Sequence, residues 1–313
     1  YLRDADCKQS VSHGRQLFTD STPCTQRKWP NMQKPLTFAI IGDSAASGVG
    51  DSDSQGNYFG WGYHLAQAFT EPLVYINASR PGAQSKEVLH DQLPNVLIHE
   101  PELVAVIVGG NDLLRNGFSP QVFEDNLNET LAHIEKLGAT SMLLELHDPT
   151  QIVPMPRLVA RVCRRRVNAV NRSTRKLARR YSSVLLETRS LDGIYQREKW
   201  HVDRMHPSKM GHQFIADNFA HLLRMRGFEI GNVQFSSSNN RSRKDSIIWM
   251  LKNGTPWFLK RSLDLLPAIL FLSITELIHI ARFGRDSESA EVFFLEFVPQ
   301  QMSHKHLQKE RVS

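Results

Sequence analysis

Cysteine is scarce in this chain, with three residues among 313. Cys7, Cys24 and Cys163 lack metal-type spacing, so no zinc site is indicated. An odd set permits at most one bridge, Cys7 with Cys24, and free thiols in a reducing compartment are the simpler reading. Long apolar runs are also lacking. In the hydrophobic C-terminal segment the longest uncharged run, residues 265–275, is about half of the roughly 20 residues that a spanning helix needs, which argues against a membrane span. No charged-then-apolar leader opens the chain at Tyr1, and a cleaved signal or an upstream segment stays open. Neither sign of charge dominates. A formal charge of +6 and a pI near 9.3 permit contact with anionic lipid or nucleic acid without demanding it. A 41% hydrophobic share with 22% charged residues is that of a globular protein with one sizeable core and appendages, not of a disordered chain. Asn77-Ala-Ser and Asn128-Glu-Thr fit glycosylation triplets but say nothing by themselves.

What is present is an alternation of short apolar runs and amphipathic stretches. Residues 36–41, 73–77, 103–108, 142–146 and 184–187 read as strands, and 103–108 is apolar throughout, as a strand covered on both faces should be. Helical spacing follows over 61–69, 88–98, 120–137 and the arginine-rich stretch 158–181, and Pro207 is expected to open a last helix. This order predicts a parallel sheet in a three-layer α/β/α sandwich with right-handed crossovers. Residues 1–34 are polar and without period, and are expected to form a surface extension to a domain over 35–230. A serine- and asparagine-rich linker is expected over 231–245, and a C-terminal helical, loosely structured appendage over 246–313. Trp257, Phe258, Lys260 and Arg261 in that appendage suit an interfacial helix, although packing against the main domain is the plainer account.

The chemistry collects in the loops. After the first strand, Gly42-Asp43-Ser44 presents a hydroxyl at a strand's carboxyl end, the edge where open α/β sheets bind ligands. Asp203-Arg-Met-His206, just ahead of the last helix, lets one turn supply an imidazole to take the serine proton and a carboxylate to orient it. Gly82 in the loop after the second strand and Asn111 of Gly109-Gly-Asn-Asp offer a backbone and a side-chain amide to a developing oxyanion, beside the amide of Ser44. Asp43 and Asp112 are expected to brace their loops. His147 and His201, near the same edge, read as surface or satisfied histidines, and Cys163 as inert. The arginine-rich helix reads as a solvated face, with an anion-binding patch as the competing account.

Taken together, Gly42-Asp-Ser44, Arg80-Pro-Gly82, Gly110-Asn-Asp112 and Asp203-Arg-Met-His206 resemble the four blocks of the SGNH, or GDSL-type, esterase and lipase family, over about residues 36–228. The resemblance implies a flavodoxin-like sheet, the SGNH hydrolase fold, and a serine esterase mechanism without metal or organic cofactor. Carried over, Ser44 is the nucleophile, His206 the general base and then acid, and Asp203 its partner; the amides of Ser44 and Gly82 with the side chain of Asn111 form the oxyanion hole. The expected substrate is a small-molecule or lipid acyl ester: a lipid, lysophospholipid, thioester or short acyl ester. Two other readings stay open: an acyltransferase or carbohydrate deacetylase using the same acyl-enzyme, and a non-catalytic basic module binding nucleic acid or acidic membrane through 158–181. No nucleic-acid partner is expected under the first reading, and peripheral membrane contact is compatible with it. The expected compartment is the cytoplasm, with secretion after loss of a leader left open.

Overall fold

The computed structural model describes residues 34–235 apart from 54 and 116, the backbone of Arg15 and Gln16, and the isolated helical positions Ile274, Ile278, Ala281 and Arg282. The expected extension over 1–34, the expected appendage over 246–313, the linker beyond 235 and the Cys7–Cys24 question therefore lie outside the described residues, save for those positions. Six strands pair in the order β1-β3-β2-β4-β5-β6. They are β1 (Arg15–Gln16), β2 (Leu36–Gly42), β3 (Leu73–Asn77), β4 (Leu103–Ile107), β5 (Thr140–Leu144) and β6 (Val184–Leu186). From β2 to β6 the pairing is parallel, and the short β1 adds antiparallel to β3.

Alternation along the strands sends side chains into two cores. Ala39, Ile41, Val104 and Val106 face one layer, where they meet α4 (Leu93–Leu97), α5 (Pro120–Lys136) and α6 (Arg157–Arg180). Phe38, Ile40, Leu103 and Ala105 face the other and pack on α2 (Gly60–Ala68) and α7 (Lys209–Arg224). All positions of β4 are buried, as its uninterrupted apolar sequence requires of a central strand. On the second face Trp61 and Phe219 are fully buried with ring centroids 4.8 Å apart, and each such side chain contributes about 1.5–3 kcal/mol by leaving water. The three-layer α/β/α architecture is thus the observed one. Among the described residues, no helix is long and apolar enough to cross a membrane.

Two element boundaries depart from the periodicity. The helix expected over 88–98 starts earlier, as a short α3 (Ser85–Glu87), and runs through a π turn (Val88–Gln92) into α4. Pro207 does not open the last helix. It is bridged in extended conformation to Trp200, and Ser208 is the N-cap of α7, its Oγ accepting from the Gly211 amide at 3.2 Å. Beyond α7 the chain stays on the core as far as Val233, which is buried, and the Gly231 amide donates to the Ala68 carbonyl at 2.7 Å.

Candidate active site

The carboxyl ends of β2, β3 and β4 carry three loops that meet around one short helix, α1 (Ser44–Ser47). β2 can end so sharply because its last residue is glycine. A Cβ on Gly42 would lie 2.1 Å from the Ile107 carbonyl oxygen, and its φ of +147° suits no other residue well. Asp43 follows as the N-cap of α1, its Oδ1 accepting from the Ala45 amide at 2.9 Å. Ser44 is then the first helical residue, where a backbone amide has no partner within the helix.

The 201–206 loop folds back on itself. The His201 amide donates to the His206 carbonyl at 2.9 Å, and Arg204 takes a left-handed φ of 57° at the tip. Asp203 and His206 thereby face the Ser44 turn. His206 Nε2 lies 2.8 Å from Ser44 Oγ, and His206 Nδ1 lies 2.9 Å from Asp203 Oδ2. The other carboxylate oxygen, Oδ1, accepts from the amides of Met205 at 2.9 Å and His206 at 3.1 Å. Burial acts to raise the Asp203 carboxyl, but the imidazoles of His201 and His206, the charge at His206 and the Met205 amide outweigh it and hold the group well below the ordinary carboxylate range. An ionised Asp203 requires the proton on His206 Nδ1, which leaves Nε2 as an acceptor for the serine hydroxyl.

The remaining sequence candidates flank this turn. The Arg80 amide donates to the Gly42 carbonyl at 3.1 Å, which lays the 80–82 loop against the Ser44 turn. Gly82 needs its φ of +89°, and open space surrounds the place where a Cβ would sit, so a ligand can approach its backbone. Asn111 Nδ2 donates to the Ala83 carbonyl at 3.1 Å, which occupies one amide proton and leaves the second for another acceptor. Gly110 backs onto Asp43, whose Oδ2 would lie 3.4 Å from a Cβ there.

Both aspartates brace as expected. Asp112 accepts from the Ser85 amide at 3.0 Å and the Ser85 hydroxyl at 2.6 Å, which ties the loop after β4 to α3. Burial raises Asp43 to about 6, against the Ala45 amide and the charge at His206. Cys163 is half-buried and pushed up to about 11, by burial first and then by Asp148, so its thiol is a poor nucleophile near neutral pH.

The arginine-rich helix corrects its expectation in part. Arg172, Arg179 and Arg180 are exposed, but Arg166 is buried and donates to the carbonyls of Leu113 at 2.7 Å and Arg115 at 2.9 Å, fastening the turn that follows Asn111. Two further braces escape the sequence reading. Gln92 brackets Gly42, accepting from its amide at 2.7 Å and donating to its carbonyl at 3.0 Å; Asn171 does the same for Leu146 at 2.9 and 2.8 Å. Each is a polar residue on an apolar helix face, beside Leu89 and Leu93 or Val167 and Val170, and that is the signal that marks them. His147 is satisfied only in part: it packs on Trp200 at 4.2 Å between ring centroids, with Nε2 buried and unpartnered.

Comparison with known proteins agrees with this layout. A family model described as GDSL-like Lipase/Acylhydrolase matches residues 40–214. The protein named thioesterase 1/protease 1/lysophospholipase L1 of Escherichia coli strain K12 is 32% identical over 189 residues, spanning 60% of this chain and 83% of that protein. A crystal structure of a catalytic mutant of an acetylxylan esterase from Geobacillus stearothermophilus superposes with a TM-score of 0.50 at 18% identity, covering 65% of this chain and all of the other, a likeness of fold. By the extent of the family match and by its curated relative, the chain belongs to the GDSL-like lipase/acylhydrolase family and is a carboxylic ester hydrolase.

Proposed function

We propose that the chain hydrolyses acyl esters through an acyl-enzyme on Ser44, with His206 as proton carrier and Asp203 as its orienting carboxylate. The observation that carries this reading is the unbroken line Ser44 Oγ to His206 Nε2 to Asp203 Oδ2, at 2.8 and 2.9 Å. His206 Nε2 takes the hydroxyl proton as Oγ attacks the acyl carbon, and the ionised Asp203 stabilises the imidazolium. The carbonyl electrons move to an oxyanion held by the amides of Ser44 and Gly82 and the free proton of the Asn111 amide, and each such donor lowers the barrier by about 2.7–4 kcal/mol. Collapse expels the alcohol or thiol, which leaves with the proton from His206. Water, deprotonated by the same imidazole, then releases the acid and restores Ser44.

For substrate we propose thioesters and lysophospholipids, following the name of the Escherichia coli relative. To the acyl group we assign the half-buried apolar side chains of the loop after β5 and the start of α6: Ile152, Val153, Met155 and Leu158. The test is a panel of nitrophenyl esters of rising chain length together with acyl-CoA and lysophospholipid, run on wild type and Ser44→Ala. Turnover should fall on the order of a millionfold in Ser44→Ala while the far-ultraviolet spectrum is kept. Retained hydrolysis in a clean preparation refutes the assignment of Ser44, and hydrolysis of short esters alone refutes the substrate class.

A further inference from the structure

The triad carboxylate serves two imidazoles. Asp203 Oδ2, 2.9 Å from His206 Nδ1, is also 3.2 Å from His201 Nδ1. Since Oδ1 already accepts the Met205 and His206 amides, Oδ2 is the oxygen that both imidazoles face. This arrangement is fixed from both sides. The His201–His206 backbone hydrogen bond closes the loop and sets the two rings on either side of Asp203. Behind His201 stands the loop that follows the nucleophile helix, where a Cβ on Gly50 would lie 3.4 Å from His201 Cβ and 2.0 Å from the Pro207 carbonyl oxygen. His201 and Asp203 side chains are 16% and 23% exposed, so water competes little for the contact.

We propose that His201 is a positioning residue that shares the Asp203 carboxylate with His206 and so limits how strongly Asp203 can stabilise the His206 imidazolium. The inference rests on the triad reading above. A carboxylate oxygen that accepts a second N–H is a weaker acceptor for the first, and the imidazolium that forms during attack is held less tightly. Other groups also bear on His206: Asp43 from the nucleophile turn, His147 from the loop after β5 and His212 from α7. On its own loop stand Asp203 and Arg204, and Arg197 reaches the His201 carbonyl at 3.4 Å. Of these, only His201 touches the same carboxylate oxygen as His206.

The test is the pH profile of kcat/KM for a nitrophenyl ester. His201→Phe keeps a ring without a donor, His201→Leu removes both, and His201→Asn keeps an N–H near the Nδ1 position. With the competing donor gone, the acidic limb of the Phe and Leu variants should move to higher pH by roughly 0.5–1 unit, and that of the Asn variant should return to the wild-type position. The low-field proton resonance of the His206–Asp203 hydrogen bond should move further downfield in His201→Phe. An acidic limb that stays in place in both donor-free variants, or a loss of rate that is uniform with pH in all three variants, overturns the proposal. Ser44→Ala in parallel separates the layers: an active Ser44→Ala sinks the triad reading itself, whereas an inactive one beside unmoved limbs sinks only the role of His201.

Discussion

Asp43 caps the helix that carries Ser44 and is also a carboxylate with 5% of its surface exposed. Burial lifts it from the ordinary 3.8 to about 6. An acid whose folded value is raised contributes stability that is present below the unfolded value and lost as pH rises through the folded one. The window here runs from pH 3.8 to 6. Asp43→Asn keeps a carbonyl oxygen for the Ala45 amide and removes the charge. Relative to wild type it should therefore gain on the order of 2–3 kcal/mol as pH is raised from 4 to 7. Urea unfolding of both proteins at the two pH values measures the change, and a constant difference between them would contradict it. The same substitution should cost activity less than loss of a proposed oxyanion donor such as the Asn111 amide, because Asp43 acts on Ser44 through the backbone of the turn.

Among the elements, α6 does the most to hold the site without touching it. Arg166→Leu would strip the Leu113 and Arg115 carbonyls of a buried charged donor, at a cost of about 2–4 kcal/mol. It should also lower kcat, because the freed turn carries Asn111. The exposed Arg172→Ala should stay within about 0.5 kcal/mol of wild type, and denaturant midpoints together with ester turnover distinguish the two. This contrast marks how far the sequence could be read. The parallel strands were legible because burial on both faces writes itself as runs of apolar residues, and 73–77 matches β3 residue for residue. Ser44, Gly82, Asn111, Asp203 and His206 stood out because the proposed chemistry needs particular residue types at loop positions, and the fold brings Ser44, His206 and Asp203 within hydrogen-bond distance of one another in a line. The partners of Gln92 and Arg166 were not legible, since they stand 50 and 53 positions away: a polar residue on an apolar helix face marks Gln92 as a brace without showing what it holds. The π turn and the cap at Ser208 are likewise set by tertiary contacts. His201 read as an ordinary histidine because only the closed 201–206 loop turns its ring toward Asp203.

Across the whole molecule the site spans both cores, and buried histidines help hold the parts together. His212 on α7 is fully buried. Its Nδ1 accepts from the Trp61 amide at 3.2 Å and its Nε2 donates to the Val49 carbonyl at 3.0 Å, joining α7, α2 and the loop that follows α1. That pattern needs the neutral ring. Burial pushes His212 down to about 4 and His147 down to about 4. A histidine with a depressed folded value contributes stability that is present above the unfolded 6.5 and lost as pH falls toward the folded value. Asp43 and Asp112, both raised by burial, act in the opposite sense over part of that window, and the two histidines, whose window reaches 6.5, outweigh them. Wild-type stability should therefore drop as pH goes from 7 to 4.5. His147→Phe isolates one histidine, because it preserves an aromatic contact with Trp200 and its Nε2 had no hydrogen bond to lose. Its plot of unfolding free energy against pH should be flatter than wild type by about one proton, roughly 1.4 kcal/mol per pH unit between pH 4.5 and 6. Parallel slopes for the two proteins would mean that His147 binds its proton equally well folded and unfolded, and that the acid sensitivity belongs to His212 and its neighbours alone.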